Sequence, residues 1–392
     1  MHKRCARNSA PITVMQSLLL PGLIALGAAQ ATMAAAAPGA AQTSDQASFR
    51  VVTVTGGLEF PWSLAFLPDG DMLITEKPGR LRRWHQGKLL PGPVAGVPPV
   101  VFKDDGGLMD VVLHPDFAAN HWIYLCFGHG TMERNALRVV RARLADDTLE
   151  DTQVIIDADN FNKDGSHLGC RMMFDRDGHL FVTSGDRFDF RNEAQNLTNL
   201  YGKVLRLNAD GTIPTDNPFA RSGAGRPEIW SSGHRNPQGA ALHPDTGHVW
   251  THEHGPQGGD EINTPRSGGN YGWPKATFGI DYDDSVISDF NELPGMEQPV
   301  WYWRPSIAPS GMAFYTGSAF PKWQGDLFVG AMKATCLVRL ELDGERVQHE
   351  ERLLLDLGER IRDVRNGPDG FLYLLTDSEQ GRLLRLEPVS GS

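Results

Sequence analysis

Apolar residues recur along this chain in short blocks whose spacing is set by turns rather than by helical periodicity. Phe49 to Thr55 alternates with period two, the mark of a half-buried strand. From there one phrase returns six times: an apolar strand, a turn rich in Pro, Asp or Gly, a second apolar strand and a polar loop. It runs from Ser63 through Leu67-Pro68-Asp69-Gly70 to Thr75, and again from Asp110 through His114-Pro115-Asp116 to Phe127. A third copy runs from Arg171 through Asp175-Arg176-Asp177-Gly178 to Thr183, and a fourth from Gly239 through His243-Pro244-Asp245 to Thr251. The fifth is looser, Gly311 to Gly330 turning near Phe320-Pro321-Lys322; the sixth runs from Ile361 through Gly367-Pro368-Asp369-Gly370 to Thr376. Further strands are on offer in Arg80 to Trp84, Leu137 to Leu144, Lys203 to Leu207, Cys336 to Leu342 and Arg382 to Leu386. Four short strands repeated six times predict an all-β six-bladed β-propeller of four-stranded antiparallel blades. Its repeat exceeds the ~40 to 50 residues of common propeller motifs, so long, function-bearing loops are expected on one face. A ring avoids open sheet edges when its two ends share a blade, so Phe49 to Thr55 should complete the sixth blade beside Arg382 to Leu386. One domain is therefore expected over 49 to 387, preceded by a linker at 38 to 48 and followed by a tail at 388 to 392.

The first residues stand apart from this pattern. Lys3, Arg4 and Arg7 precede an apolar run from Val14 to Ala29, and Ala34-Ala35-Ala36-Ala37 follows. That order predicts a secretory signal peptide over 1 to 37 with an A-x-A type cleavage site, and hence a periplasmic enzyme or binding protein. Gln16, Pro21 and Gly22 interrupt the run, which is shorter than the ~20 apolar residues of a span, so no stable membrane anchor is expected. The leader holds three cations and no acid, so its loss takes the formal net charge from −11 to −14. Such a charge argues against nucleic acid or an anionic membrane as partner. Cys5 leaves with the leader; Cys126, Cys170 and Cys336 allow at most one disulfide and a free thiol.

Several loops before or after the predicted strands carry groups fit for chemistry. His167 lies between Gly165 and Gly169 at the start of an inner strand, which aims it at the channel, and glycines let a ligand approach closely. Asp186, after the partner strand, can reach back to hold its tautomer as a base and its orienting group require. Gly233-His234-Arg235-Asn236-Pro237-Gln238-Gly239 offers a guanidinium and an amide together, and Arg is the natural donor to carboxylates and developing oxyanions. Lys333, Arg360 and Arg362 occupy equivalent positions in later units; with Arg235 they make a site for a small polyanion in an otherwise acidic chain. His252-Glu253-His254-Gly255-Pro256-Gln257-Gly258-Gly259-Asp260-Glu261-Ile262-Asn263 reads as strand then loop and lacks the i, i+4 His pair of helical zinc proteases. Oxygen ligands from Asp260, Glu261 and loop carbonyls suit calcium better. No phosphate-binding Gly-rich loop, G-x-S-x-G elbow or C-x-x-C pair occurs.

These motifs, with Gly106-Gly107-Leu108-Met109-Asp110 to Phe117, Asn270-Tyr271-Gly272-Trp273-Pro274 and Arg360-Ile361-Arg362-Asp363-Val364, resemble the soluble quinoprotein glucose/sorbosone dehydrogenases. The nearest branch is the periplasmic aldose sugar dehydrogenases that use pyrroloquinoline quinone, and the resemblance covers 49 to 387. It implies that His167 is the general base supported by Asp186, and that Arg235 and Asn236 contact the cofactor, Arg235 near the carbonyl where negative charge develops. It implies that Lys333, Arg360 and Arg362 hold the quinone's carboxylates and that Tyr282 adds a contact. Glu261 and the Tyr271 carbonyl match a calcium site, and Gly255 and Pro256 match backbone ligands of a calcium beside the cofactor. Two positions depart from the pattern. Asp105 stands where the family has Gln in the cofactor pocket, and its charge needs calcium or an arginine to offset it. Ser166 replaces an acid found before the base in the glucose dehydrogenase branch, which leaves orientation of His167 to Asp186.

The expected activity is oxidation of C1 of an aldose to the lactone, with hydride passing to the quinone and electrons to an external acceptor. A calcium-dependent propeller hydrolase acting on lactones, and a non-catalytic sugar-binding propeller, remain as alternatives. Which sugar is oxidised, and whether the protein is a monomer or homodimer, is open at this level.

Overall fold

The computed structural model describes residues 39 and 41–389; the predicted signal peptide and Cys5 lie outside them. Six antiparallel sheets stand around a common axis, five of four strands and the sixth of five. The first strand of each hairpin is innermost: Pro61–Phe66, Leu108–Leu113, Gly169–Phe174, Pro237–Leu242, Pro309–Phe314 and Ile361–Asn366. Each of these six packs against the next around the ring. Second strands such as Met72–Glu76, Val249–Glu253, Leu327–Ala331 and Leu372–Thr376 are buried at every residue, because neighbouring blades cover both faces. That is why they read as continuous apolar runs. Outer strands such as Thr148–Asp157 and Arg346–Leu353 are largely exposed and polar, and their sequences carry no comparable signal.

The turn chemistry repeats with the blades. Gly70, Gly178 and Gly370 adopt φ of 90°, 82° and 82°, and each donates its N–H to the carbonyl three residues back. A left-handed residue at the end of a tight turn is what glycine supplies without steric cost. Ring closure is as expected: Ser48–Leu58 pairs with Gly381–Pro388, with Val51 opposite Leu386 and Thr53 opposite Leu384. Two expectations are corrected. Ala41–Thr43, placed in the linker, forms a fifth strand on the outer edge of that sheet, turned by Ser44, whose Oγ accepts the Ala47 N–H at 2.8 Å. Asp260–Asn263, read as loop, is the third strand of the fourth blade, pairing with both Val249–Glu253 and Trp301–Trp303. Among the described residues no helix is long and apolar enough to cross a membrane.

At the axis, the 1 % exposed Arg171 donates to the Gln238 carbonyl at 2.9 Å and pairs with Asp110 and Asp363 at 3.2 and 3.1 Å. Its guanidinium lies 4.0 Å from the Trp62 ring centroid. Five blades meet at this one side chain. Arg365 completes a balanced quartet by pairing with Asp363 at 2.8 Å and Asp110 at 3.4 Å. Cys126 and Cys170 form a buried disulfide between the second and third blades, while Cys336 is buried and free. The bridge spans 44 residues of chain, so replacing both cysteines by alanine should cost about 3–4 kcal/mol. Thermal melts would show this as a lowered Tm; a melt matching that of wild type would mean the bridge adds nothing to the native ring.

Candidate active site

Because first and second strands are antiparallel, every inner strand begins, and every second strand ends, at the same end of the ring. Residues just outside those ends therefore converge. Asp105, His167, Arg235, Asn236 and Arg360 precede inner strands; Lys77, Asp186, His254, Lys333 and Asp377 follow second strands. Arg362, second in its strand, lies just inside the mouth.

His167 is 7 % exposed and takes a left-handed φ of 49°. Its Nδ1 is 2.7 Å from Asp186 Oδ1, the pair expected across the hairpin. That carboxylate is fully engaged: Oδ1 also accepts the Phe188 N–H at 2.9 Å, and Oδ2 accepts the Trp273 indole N–H at 2.7 Å. An ionised carboxylate can only accept, so in the neutral imidazole the proton sits on Nδ1 and Nε2 carries the lone pair. The loop is held from behind by Arg187, whose guanidinium donates to the carbonyls of Ser166, Asp164, Asn135 and Asn160. Ser166 contributes through its backbone, its carbonyl accepting from Arg187 and its N–H donating to Asp164 Oδ1 at 3.1 Å. Two glycines make the close approach feasible: a Cβ on Gly165 would fall 1.8 Å from the Lys103 carbonyl oxygen, and one on Gly185 2.1 Å from that of His167.

Arg235 donates its backbone N–H to Glu253, and its guanidinium to the carbonyls of His254 at 3.0 Å and Gly255 at 2.8 Å. The guanidinium also reaches the Tyr282 hydroxyl at 3.3 Å and lies 5.3 Å from the Trp273 ring centroid. Tyr282 is exposed and stacks on Phe188, centroids 6.2 Å apart. A cavity of about 260 Å³ opens here, lined by Phe188, Arg191, Arg235, Trp273 and Asp281. Asn236 braces the backbone instead, its Oδ1 accepting the Gly169 N–H at 3.1 Å.

Arg360 and Arg362 both reach Asp377, at 3.0 and 3.1 Å, and Arg362 adds Gln238 Oε1 and Ser310 Oγ. Burial works against the Asp377 charge, but Arg362, Arg360 and Lys77 outweigh it and draw its pKa down to about 2. Lys333 is exposed and forms no ion pair among the described residues. Asp105 is exposed at the lip. Burial first, helped by the nearby guanidinium groups of Arg235 and Arg362, holds His254 neutral against the pull of Asp105.

A second, acidic pocket of about 10 Å³ lies beside Arg235, lined among others by Glu253, Gly255, Gly259, Glu261 and Tyr271. That is room for one water or ion. Glu253 accepts from His234 Nδ1 and Asn263 Nδ2, each at 2.9 Å. Among the described residues Glu261 accepts only from Asn263, at 3.2 Å; burial first, and then Glu253, push its carboxyl well above the usual range. The Tyr271 ring stacks on His234 at 4.8 Å, and its hydroxyl donates to the Thr264 carbonyl. The Gly255 and Pro256 carbonyls already accept from Arg235 and from Ser306 Oγ.

Sequence reasoning passed over Lys77, Arg187, His254, Trp273 and Asp377 as working members of this site. The usable signal was positional, since Lys77, His254 and Asp377 follow second strands just as Asp186 and Lys333 do.

A family model described as Glucose / Sorbosone dehydrogenase matches residues 58–385. The chain is 46 % identical over 348 residues to the aldose sugar dehydrogenase YliI of Escherichia coli (strain K12), covering 87 % of this chain and 94 % of that protein. The crystal structure of the soluble aldose sugar dehydrogenase from Escherichia coli in the apo-form superposes with a TM-score of 0.84 at 45 % identity, over 87 % of this chain and 100 % of that one. The PQQ-bound aldose sugar dehydrogenase from Streptomyces coelicolor does so with a TM-score of 0.73 at 28 % identity, over 90 % and 99 %.

The Asp377 shift has a consequence for acid stability. A depressed native pKa contributes stability that is present above the ordinary value of 3.8 and is lost as pH falls through about 2. The difference amounts to about 2 kcal/mol. Denaturation followed between those two pH values should show this loss in the wild type and a flatter profile in Asp377→Asn. Parallel profiles would mean that the arginines do not act on this carboxylate.

Proposed function

The chain belongs to the glucose/sorbosone dehydrogenase family, and on that premise we propose that it is an exported quinoprotein that oxidises the C1 hydroxyl of aldose sugars to lactones. The observation that carries the reading is the His167–Asp186 pair at 2.7 Å, at a mouth it shares with Arg235, Lys333, Arg360 and Arg362. The donor set suits pyrroloquinoline quinone. Arg360 and Arg362 share a single carboxylate, Asp377, which leaves positive charge for the carboxylates of a ligand. The acidic pocket suits calcium: Glu261 and Glu253 press two carboxylates together with one shared amide donor, an arrangement that a divalent cation relieves. Glu261 and the Tyr271 carbonyl would hold that ion. Gly255 and Pro256 would offer a second ion beside the cofactor the lone pairs that Arg235 and Ser306 leave free.

Bound quinone supplies the two-electron oxidant that takes hydride from C1. The residues of the chain do the rest. His167 Nε2 accepts the proton of the anomeric hydroxyl as the C1–O bond becomes a carbonyl, and Asp186 stabilises the imidazolium so formed. Trp273 and the Phe188 N–H keep Asp186 from rotating away. Arg235 places a fixed positive charge where negative charge develops. Phe188 and Tyr282 offer aromatic surface at the cavity where a sugar ring would enter. Export through the leader at 1 to 37 is supported by the Cys126–Cys170 disulfide, since such bonds persist in oxidising compartments.

Reduction of a dye by protein loaded with calcium and pyrroloquinoline quinone, across a panel of aldoses, tests the reading; no turnover with any sugar would sink it. His167→Ala should lose at least about a hundredfold in kcat while still taking up the quinone. Loss of uptake as well would make His167 structural rather than catalytic. Chelation should lower the Tm of wild-type protein and leave that of Glu261→Gln nearly unmoved. An equal drop in both would place the stabilising ion elsewhere.

A further inference from the structure

A carboxylate at Asp105 has the wrong sign for a pocket that takes a polyanion, yet it stands exposed at the lip. Its neighbour Asp104 is occupied, with Oδ2 accepting the Gly165 N–H at 3.0 Å and so bracing the loop of His167. Asp105 follows directly on the Asp104 carbonyl that accepts from Lys77 Nζ at 3.1 Å, in a loop whose far end, at Leu108, is bonded to the Lys77 carbonyl.

Lys77 directly follows the second strand of the first blade, Met72–Glu76, and is 7 % exposed. Its Nζ lies 5.8 Å from the Phe60 ring centroid and 5.7 Å from that of Phe102, a pair of aromatic rings that holds an ammonium in place. Nζ donates to the Asp104 carbonyl at 3.1 Å, its one hydrogen bond among the described residues. Two N–H donors remain unused. The Asp105 loop is clamped onto Lys77 itself. The Leu108 N–H donates to the Lys77 carbonyl at 3.0 Å, and a Cβ on Gly107 would fall 2.2 Å from that oxygen. Burial first, and Arg362 next, draw the ammonium's pKa below its ordinary value, while Asp377 and Asp105 act against them.

We infer that Lys77 is a further cofactor-binding residue of this site, whose ammonium offsets the Asp105 carboxylate and keeps the positive excess of Arg360 and Arg362 available to a planar polycarboxylate. The inference rests on the quinone reading above. It makes Asp105 and Lys77 a compensated pair, so that either change alone is felt and the two together largely cancel.

Apo protein with calcium, titrated with pyrroloquinoline quinone and followed by quenching of tryptophan fluorescence, gives the Kd directly. Lys77→Met should weaken binding about tenfold and Asp105→Asn should tighten it, while Lys77→Arg stays near wild type and the double variant returns to within about threefold of it. Should Lys77→Met fail to fold, Asp105→Asn in the wild-type background carries the test alone: tightened binding supports the pair, and unchanged or weaker binding overturns it. Equal Kd values for wild type and Lys77→Met, or a double variant that binds as weakly as Lys77→Met alone, would overturn the role of Lys77 while leaving the quinone reading intact. Wild-type protein that takes up no quinone would overturn both.

Discussion

At the centre of the ring a guanidinium is held away from water by partners drawn from separate blades. Arg171 brings with it Asp110, Asp363 and the Gln238 carbonyl, and it covers the face of Trp62. Such a set is expensive to bury and adds little net stability when complete, but removing one member strands a charge at a cost of about 3–5 kcal/mol. Its value is geometric. A propeller with five or seven blades would misplace at least one of these partners, so the quartet with Arg365 selects six blades in one register. Arg362 repeats the device one layer nearer the mouth, reaching Gln238 and Ser310 in the fourth and fifth blades.

The rigidity of that axis is what lets single residues from distant parts of the chain act together. His167 and Arg235 come from different blades, yet the Asp186 N–H donates to the Arg235 carbonyl at 2.8 Å, so the base and the cation share a backbone link. The Cys126–Cys170 bridge fixes the third blade to the second three residues beyond His167. Left-handed backbone at His167, Cys170, Arg187 and Phe188 concentrates at this one corner. Conformations of that kind persist where surrounding contacts over-determine them, and Arg187, the disulfide and Asp186 are those contacts.

Much of this was legible in the sequence. The six hairpins announced themselves because buried second strands must be apolar and because tight turns demand Asp and Gly in fixed order. The outer strands did not, since a strand such as Arg346–Leu353 with one covered face and a solvated edge has little reason to be apolar. Asp260–Asn263 was hidden for a different reason. Asp260 is buried as an acceptor for the N–H groups of Gly255, Ile307 and Ala308, which gives a central strand the composition of a loop. His167 and Asp186 could be paired on paper because one hairpin joins them. Asp377 stands in the same relation to Arg360 and Arg362 across its own hairpin and was passed over, whereas Lys77 could not be read on paper, because its ammonium meets the Asp104 carbonyl in the loop that leads into the second blade.

The closing of the ring also bears on how the molecule is made. Ser48–Leu58 has its inner partner in Gly381–Pro388, at the other end of the described ring. An eleven-residue strand must therefore keep an unpaired inner edge until Gly381–Pro388 has been made, and such edges invite pairing with other chains. Five blades can assemble as they emerge; the sixth, which carries Arg360, Arg362 and Asp377, cannot. Competence to bind an anionic cofactor is thereby tied to synthesis of the sixth blade, and a product cut short of it would lack Arg360 and Arg362.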